Sequence, residues 1–230
     1  MKILFVGGNK GGVAKSLISH LAVYALLHRS DVKSTIGVID CDASIGDVYP
    51  LYVEHTRVMP RAVNLTEADG YDCYFELLIE LQAAGCTHTV VNSFAGDAVG
   101  DTEFLADRHT TVTEALAELG ISMTYFFALV DSHSCADSLL AALGYLDPQT
   151  LVVVKNHFAG SKFDVINQLI EPPVRYIALP ILKSALTDGL GLEGQDVASA
   201  IAVLKARNPF TAASVQSAVN KFADSVLEVL

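Results

Sequence analysis

The feature that most constrains this chain is a loop rich in glycine and lysine at residues 7–16, close to the N-terminus. It reads GGNKGGVAKS, with the apolar run Ile3–Val6 before it and the largely apolar segment 17–27 after it. These flanking patterns predict a buried strand and a helix packed on a sheet. A glycine-rich turn between strand and helix lets backbone N–H groups surround phosphate oxygens, while a terminal lysine and hydroxyl suit the outer phosphates and Mg²⁺. The sequence therefore predicts a nucleoside triphosphate site in this loop.

The rest of the chain alternates apolar, strand-like runs with helical segments. This alternation predicts an α/β fold with a twisted, mostly parallel sheet and helices on both faces, the three-layer sandwich of P-loop NTPases. The predicted strands are 3–6, 35–40, 58–60, 87–92, 121–130, 151–155 and 175–180, and the predicted helices are 17–27, 72–84, a long helix ending at 119, 132–143, 162–170, 197–206 and 212–230.

Length and composition favour a single cytoplasmic domain over residues 1–230. No apolar run reaches the roughly 18 residues that a membrane span needs. Because a predicted strand begins directly after Met1 and Lys2, we expect no cleaved signal peptide. The four cysteines form no CxxC pair, so we expect reduced thiols. The histidines include no pair at metal-binding helical spacing.

The loop also departs from the plain P-loop template, which has glycine at the positions of Asn9 and Ala14. A second lysine, Lys10, stands before the paired glycines, and this arrangement resembles the deviant Walker A motif of the ParA/MinD family of partitioning and positioning ATPases. The resemblance implies that Lys10 reaches across a dimer to the partner's nucleotide. Ala14 replaces the family's usual glycine, so we expect its methyl group to tighten or reshape the loop. The implied nucleotide contacts are Gly11, Gly12, Val13, Ala14, Lys15, Ser16 and Leu17, with Ser16 also on Mg²⁺ and Lys15 also catalytic.

Two carboxylates, Asp40 and Asp42, follow the second predicted strand. Ligands of open α/β sheets gather at the carboxyl ends of strands, which favours a functional position. The pair resembles the family's first switch, Asp-x-Asp. The resemblance implies that Asp42 orients or deprotonates the attacking water and that Asp40 contacts Mg²⁺ through a water molecule. An Asx-type turn at the strand end is the alternative.

The segment 90–96 resembles the family's second switch, an apolar strand followed by Asp-x-x-Ala-Gly, but Asn92 replaces the aspartate. An amide can hold a magnesium-bound water without supplying negative charge. We therefore expect weak metal binding or slow hydrolysis and a long-lived triphosphate state, and Asn92→Asp is expected to raise Mg²⁺ affinity or turnover. Ser93 and Asp97 are candidates to substitute in part, and a magnesium site made of Ser16 and waters alone is the alternative.

Asn156 follows another apolar run, at the place where the family's strand-end asparagine hydrogen-bonds the adenine edge. The amide carries both a donor and an acceptor, which suits a purine. Pro180 would then flank the base, as a proline-containing segment does in the family. A simple cap of the strand end is the alternative for Asn156.

The formal net charge of −11 and pI near 4.9 argue against nonspecific DNA binding. The acidic tail 220–230 argues against stable attachment to acidic membranes. The resemblance implies ATP and Mg²⁺ as cofactors, a homodimer formed with ATP, and a protein partner such as a small plasmid DNA-binding protein. Small size, an acidic surface and the altered second switch resemble the plasmid stability and conjugation ATPases of the StbB, MobD and TraL kind.

Two other functions remain open on the sequence. A metabolic ATP-dependent ligase of the dethiobiotin-synthetase type shares the expected architecture. An ATP-binding module with negligible hydrolysis is the other alternative, and Asn92 is the residue that suggests it.

Overall fold

A single parallel sheet organises the part of the chain that the structure describes. The computed structural model describes residues 1–8, 11–41, 46–93, 114–160, 162–169, 174–182, 186, 190 and 195–230. Within these residues the strands are β1 (Lys2–Gly7), β2 (Ile36–Asp40), β3 (Val58–Ala62), β4 (His88–Asn92), β5 (Ser122–Leu129), β6 (Leu151–Asn156) and β7 (Arg175–Leu179). Their order in the sheet is β3-β2-β4-β1-β5-β6-β7, and each pairing is parallel.

Helices follow most of the strands. They are α1 (Lys15–Tyr24), α2 (Gly70–Ala83), α3 (His133–Leu143), α4 (Asp164–Leu169), α5 (Val197–Arg207) and α6 (Pro209–Glu228), and residues 114–118 are also helical. A π-helical turn, Ala25–Arg29, prolongs α1, and a short 3-10 helix, Tyr49–Tyr52, lies between β2 and β3.

The helices cover both faces of the sheet. Parallel strands are joined by right-handed crossovers, so the direction of each crossover decides the face on which its helix lies. The crossover that carries α1 runs from β1 towards the β3 edge, whereas those carrying α3 and α4 run towards the β7 edge. Helices α5 and α6 pack against α1, and α3 packs against α4. The result is the three-layer α/β sandwich that the sequence predicted.

The sheet core is apolar on both sides, as a parallel sheet between two helix layers requires. Strand β2 is buried along its whole length, and β1 is buried from Ile3 onwards. The predicted strands and helices are confirmed within the described residues, whereas the π-helical turn was not predicted. Most of the long helix predicted to end at 119 lies outside the described residues, apart from 114–118.

The position of the candidate site follows from the strand order. The chain leaves β1 towards one edge of the sheet and leaves β4 towards the other, and these two strands are neighbours. Ligands of open α/β sheets bind outside the carboxyl ends of strands at such a reversal. The loop after β1, the end of β2 and the end of β4 therefore meet at the point where a ligand is expected.

Candidate functional site

The loop after β1 lies closely against the neighbouring strand β5. A Cβ added to Gly8 would come within 2.6 Å of the Ala128 carbonyl oxygen and 3.0 Å of a Val13 methyl group. A side chain on Gly7 would overlap the Tyr125 hydroxyl group. Only glycine lets the backbone pass here, so these residues fix where the loop leaves the sheet.

The turn into α1 uses two left-handed backbone positions, Gly12 with φ 80° and Ala14 with φ 77°. Glycine adopts such angles freely, whereas alanine is strained by about 1 kcal/mol or more. Ala14 thus takes a conformation that favours the glycine which the resembled family has at this position. The methyl group was expected to tighten or reshape the loop. In the structure its effect is backbone strain at Ala14.

The first turn of α1 has no side-chain cap at Ala14, its N-cap residue. Three other helices are capped: Ser132 accepts a hydrogen bond at the start of α3, and Asp196 and Asn208 do the same for α5 and α6. Helix α2 resembles α1 in lacking a side-chain cap. The first N–H groups of a helix lack intrahelical acceptors and attract anions. Together with the loop before it, the uncapped end of α1 forms a place for an anionic group.

The lysine and hydroxyl of the motif lie at this helix end. Lys15 is buried, while Ser16 and Leu17 are half-buried. The Ser16 hydroxyl donates a hydrogen bond to Oδ2 of Asp47, at 3.1 Å. Asp47 is exposed and was not among the residues predicted from the sequence.

Next to Ser16 on α1 lies a buried hydrogen-bonded chain that joins α1, β4 and β2. Ser19 Oγ donates to Oδ1 of Asn92 at 3.0 Å, and Nδ2 of Asn92 donates to Oδ1 of Asp40 at 3.0 Å. Asp40 is fully buried, Asn92 nearly so, and the two are register partners in the sheet. The amide of Asn92 is therefore a bridge between a hydroxyl and a carboxylate.

The second oxygen of Asp40 organises the chain that follows β2. Its Oδ2 accepts hydrogen bonds from the backbone N–H groups of Val48 at 2.9 Å and Tyr49 at 3.0 Å. Carboxylates that accept backbone N–H bonds make strong, charge-assisted contacts. Both Asp40 oxygens thus have protein donors, and Asp40 holds the turn at residues 47–49. These contacts lie eight and nine residues along the chain, so they are not the Asx-type turn noted as the alternative from the sequence, in which the bond is made two residues on. A role in a magnesium shell remains a prediction.

His20, one residue beyond Ser19, supports the same turn. Its Nδ1 lies 3.2 Å from the Tyr52 hydroxyl, and its ring lies near the backbone of Asp47. Desolvation by burial lowers the pKa of His20 from 6.5 to about 4, against the opposing effects of the Asp47 backbone and the Asp40 charge. Burial likewise raises the pKa of Tyr52. His20 is thus a neutral packing and hydrogen-bonding residue near pH 7.

Ser93, which follows β4, adds one unusual feature. Its side chain is buried, and its hydroxyl has no hydrogen-bond partner among the described residues, while its backbone N–H donates to Val6 at 3.0 Å. A buried hydroxyl without a partner costs free energy, so such groups call for an explanation. Ser93 lies where β4 ends beside β1. The sequence suggested that Ser93 substitutes in part for the aspartate missing from the second switch, and this remains a prediction.

Asn156 ties β6 to the loop. Its Nδ2 donates to the Val13 carbonyl at 3.2 Å, and its Oδ1 accepts from the Phe158 backbone N–H at 3.0 Å. The side chain is almost fully buried. This geometry matches the predicted alternative of a strand-end cap, and the adenine contact stays a prediction. Pro180 is half-buried and directly follows β7, whose last residue Leu179 pairs with Asn156.

Several predicted residues lie outside the described part of the chain. These are Lys10, Asp42 and Asp97. The cysteines are thiols rather than disulfides, as expected. No group of three or more His, Cys, Asp or Glu side chains within the described ranges could hold a metal ion by itself. In the same ranges, no helix is both long and apolar enough to cross a membrane.

The residues that sequence reasoning missed are Ser19, His20 and Asp47. Ser19 and His20 follow Ser16 by three and four positions, so they share its helix face. Polar residues on that face of an otherwise apolar helix were the available signal. Asp47 had none, because its approach to Ser16 depends on the turn that Asp40 holds.

Comparisons with known proteins agree with this architecture. No protein-family model matches the chain. Protein MobD from Acidithiobacillus ferrooxidans is 28% identical over 167 residues, which is 72% of this chain and 68% of that protein.

Two solved structures are similar over nearly the whole chain. A ParA family ATPase from Chlorobium tepidum TLS has a TM-score of 0.61 at 16% identity, covering 96% of this chain and 98% of that one. A chain of the MinC:MinD cell division protein complex from Aquifex aeolicus has a TM-score of 0.56 at 11% identity, covering 99% and 96%. The seven-stranded parallel sheet, with its helix layers and its loop between β1 and α1, thus has the fold of the ParA and MinD ATPases.

Proposed function

We propose that this protein is an ATP-dependent switch that binds ATP with Mg²⁺ in the loop at residues 7–16 and forms a homodimer in that state. The observation that carries the proposal is the uncapped start of α1, preceded by a glycine loop at the reversal point of a parallel sheet. The glycine loop, the helix N-terminus and a lysine lie at one point. Together they indicate a phosphate site far more specifically than any one of these features alone.

Different residues would bind the phosphates and the Mg²⁺ ion. Backbone N–H groups from Gly11 to Leu17 would surround the phosphates, and Lys15 would balance their charge. The hydroxyl of Ser16 and the carboxylate of Asp47 face one another in a half-exposed position, and oxygen donors of this kind fit Mg²⁺. When bound, Mg²⁺ neutralises charge on the phosphate oxygens. Lys10 from a second copy would approach the same phosphates, and Asp42 would orient the attacking water.

Hydrolysis is expected to be slow. Both amide atoms of Asn92 have protein partners, so this side chain holds the strand ends together and is not presented to a water molecule. A switch that scarcely hydrolyses ATP until a partner acts is consistent with this arrangement. The same observation favours a second candidate function, an ATP-binding module with negligible turnover under all conditions.

The output is proposed to be the positioning of a plasmid or a protein cargo through a protein partner in the cytoplasm. The net charge of −11 disfavours direct nonspecific contact with DNA. A chain of the MinC:MinD cell division protein complex shares this fold, which is consistent with action through a protein partner.

The test is a titration of a fluorescent ATP analogue, in the presence of Mg²⁺, into wild type and Lys15→Met. We expect saturable binding by wild type and a loss of about tenfold or more in the variant, equivalent to about 1.4 kcal/mol. Lys33→Met is the matched control, because Lys33 is exposed and distant in sequence from the loop. Phosphate release measured on the same samples should be slow for wild type. Equal binding by all three proteins, or none by wild type, would contradict the proposal.

A further inference from the structure

We propose that Asp47 supplies the carboxylate ligand of the divalent cation that accompanies the nucleotide, beside the hydroxyl of Ser16. This inference rests on the proposed function, because the cation is expected to arrive with the phosphates. It assigns to this chain a ligand that neither switch motif indicated.

The first argument is the geometry of the pair. Ser16 Oγ and Asp47 Oδ2 lie 3.1 Å apart, one at the start of α1 and the other after β2. Two oxygens at this separation can bind one octahedral cation on adjacent positions, since each cation–oxygen distance is about 2.1 Å for Mg²⁺. The hydrogen of Ser16 would turn away towards another acceptor, and its oxygen lone pair would face the cation.

The second argument is that the expected ligands are engaged elsewhere. Asp40 is fully buried, and its two oxygens accept from Asn92, Val48 and Tyr49. The side-chain amide oxygen of Asn92 accepts a hydrogen bond from the Ser19 hydroxyl. Asp47, by contrast, is exposed and has an oxygen within hydrogen-bond distance of the motif hydroxyl. Among the described residues, it is the carboxylate that can reach a cation at Ser16 without breaking the buried chain.

The third argument is that the Asp47 backbone is held from two sides. On one side Asp40 fixes the N–H groups of the next two residues, Val48 and Tyr49. On the other side the buried ring of His20 lies near the Asp47 backbone, and its Nδ1 lies 3.2 Å from the hydroxyl of Tyr52. Metal sites depend on such supporting groups to aim their ligands. Asp40 and His20 are therefore positioning residues, and Asp47 is the ligand they aim.

This arrangement suits a cation that is shared with the nucleotide. Mg²⁺ in nucleotide sites keeps several waters and takes one or two protein oxygens together with phosphate oxygens.

The test uses Mn²⁺ as a paramagnetic probe, with its binding followed by electron paramagnetic resonance in the presence of a nonhydrolysable ATP analogue. Asp47→Asn keeps the shape of the side chain and a hydrogen-bonding oxygen but removes the charge. We expect it to weaken Mn²⁺ affinity by about tenfold or more, because even the loss of a group that supports a ligand costs about tenfold to a hundredfold. Asp31→Asn, a change at another exposed aspartate, is the matched control and should leave the affinity unchanged.

A second variant separates ligation from a general charge effect. Asp47→Cys replaces a hard oxygen by a soft sulfur, which favours Cd²⁺ over Mg²⁺. With Asp47 as a ligand, this variant binds the analogue more tightly with Cd²⁺ than with Mg²⁺, relative to wild type. No change in that metal preference, or unaltered Mn²⁺ affinity in Asp47→Asn, would overturn the inference.

Nucleotide affinity measured in excess chelator, without any divalent cation, distinguishes a failure of the proposed nucleotide site from a failure of the Asp47 assignment. If wild type and Asp47→Asn bind the analogue equally under these conditions, the nucleotide site is intact and the Mn²⁺ result judges Asp47 alone. If wild type binds no nucleotide with or without cation, the proposed function fails and the assignment of Asp47 fails with it.

Discussion

Two pairs of polar side chains lie at the same edge of the sheet, and they differ in burial. Asp40 and Asn92 are buried, and their side-chain atoms bond to one another, to Ser19 and to backbone N–H groups. Ser16 and Asp47 are half-buried and exposed, and they share a single hydrogen bond at 3.1 Å. The first pair resembles part of a core, while the second faces solvent.

This difference shows which pair holds the fold and which is available to a ligand. A buried carboxylate is tolerated only when donors surround it, and removing one partner leaves the others uncompensated. An exposed hydrogen bond is easily exchanged for water or a cation and contributes little to stability. The variants below test this division, from the largest expected effect to the smallest.

The strongest test of the buried pair is Asp40→Ala. It removes the acceptor of three hydrogen bonds, from Val48, Tyr49 and Asn92. We expect the free energy of unfolding to fall by about 3 kcal/mol, because buried donors left unsatisfied cost about 1–3 kcal/mol each and part of the turn relaxes. Urea unfolding measures this loss. Asp47→Ala is the control and should cost less than about 0.5 kcal/mol. Equal losses in both variants would remove the distinction between the pairs.

The buried surroundings of the turn can also be probed by pH through His20. Burial lowers its folded-state pKa to about 4, below the ordinary value of 6.5, so the unfolded chain binds the proton more readily. Stability from this group is therefore full above about pH 6.5 and is lost as the pH falls towards 4. The loss is of the order of 3 kcal/mol, since each pKa unit corresponds to about 1.4 kcal/mol.

The measurement is a set of urea unfolding curves from pH 7 to pH 4 for wild type and His20→Gln, which cannot titrate there. The wild type should lose more stability than the variant over this range. Other histidines with lowered pKa, such as His28 and His88, are common to both proteins and cancel in the comparison. Parallel pH dependences would contradict the assignment of a buried neutral imidazole.

Asn92→Asp places a second carboxylate beside Asp40, where the amide now donates a hydrogen bond at 3.0 Å. We expect a loss of about 2 kcal/mol at pH 7 without divalent cation, because like charges in a buried site repel and one carboxyl group acquires a raised pKa. The loss relative to wild type should shrink as the pH falls and that group is protonated. A variant as stable as wild type at pH 7 would show that the amide is not a required bridge. Turnover of the same variant with Mg²⁺ tests the sequence-based hypothesis that Asn92 slows hydrolysis.

The smallest expected effect is a gain in stability. Ala14→Gly should raise the free energy of unfolding by about 0.5–1 kcal/mol, because φ 77° strains alanine and suits glycine. The matched control is Ala213→Gly in the second turn of α6, where the same substitution at an exposed helical position should cost about 1 kcal/mol. Opposite signs for the two substitutions are the expected result, and a loss at both positions would contradict the strained turn.

The fold could be predicted because its signals are local. Apolar strands such as Ile36–Asp40 and Leu151–Asn156 alternate with helices, and only a parallel sheet with right-handed crossovers accommodates that order. The same reasoning predicted that polar residues gather at the edge of the sheet formed by the carboxyl ends of the strands. It placed Asp40 and Asn92 together correctly, since they are register partners.

The details of the site could not be predicted because they depend on contacts distant in sequence. The spacing of Asp40 and Asn92 does not reveal that a serine on α1 completes their chain, or that the carboxylate points into the turn after β2. Nothing in the sequence distinguishes His20 from the other histidines, because its burial and its hydrogen bond with Tyr52 arise only in the folded chain. Asp47 reaches Ser16 only because that turn is held, so no linear motif could reveal it.

The measurement that tests the central claim most directly is the solution mass of the protein by light scattering, with Mg²⁺ and ATP, a nonhydrolysable analogue or ADP. The account predicts that wild type doubles its mass with either triphosphate and stays monomeric with ADP. It also predicts that Lys10→Ala stays monomeric throughout, while the control Lys33→Ala behaves as wild type. A mass that does not respond to nucleotide, or that responds equally in Lys10→Ala, would contradict the nucleotide switch.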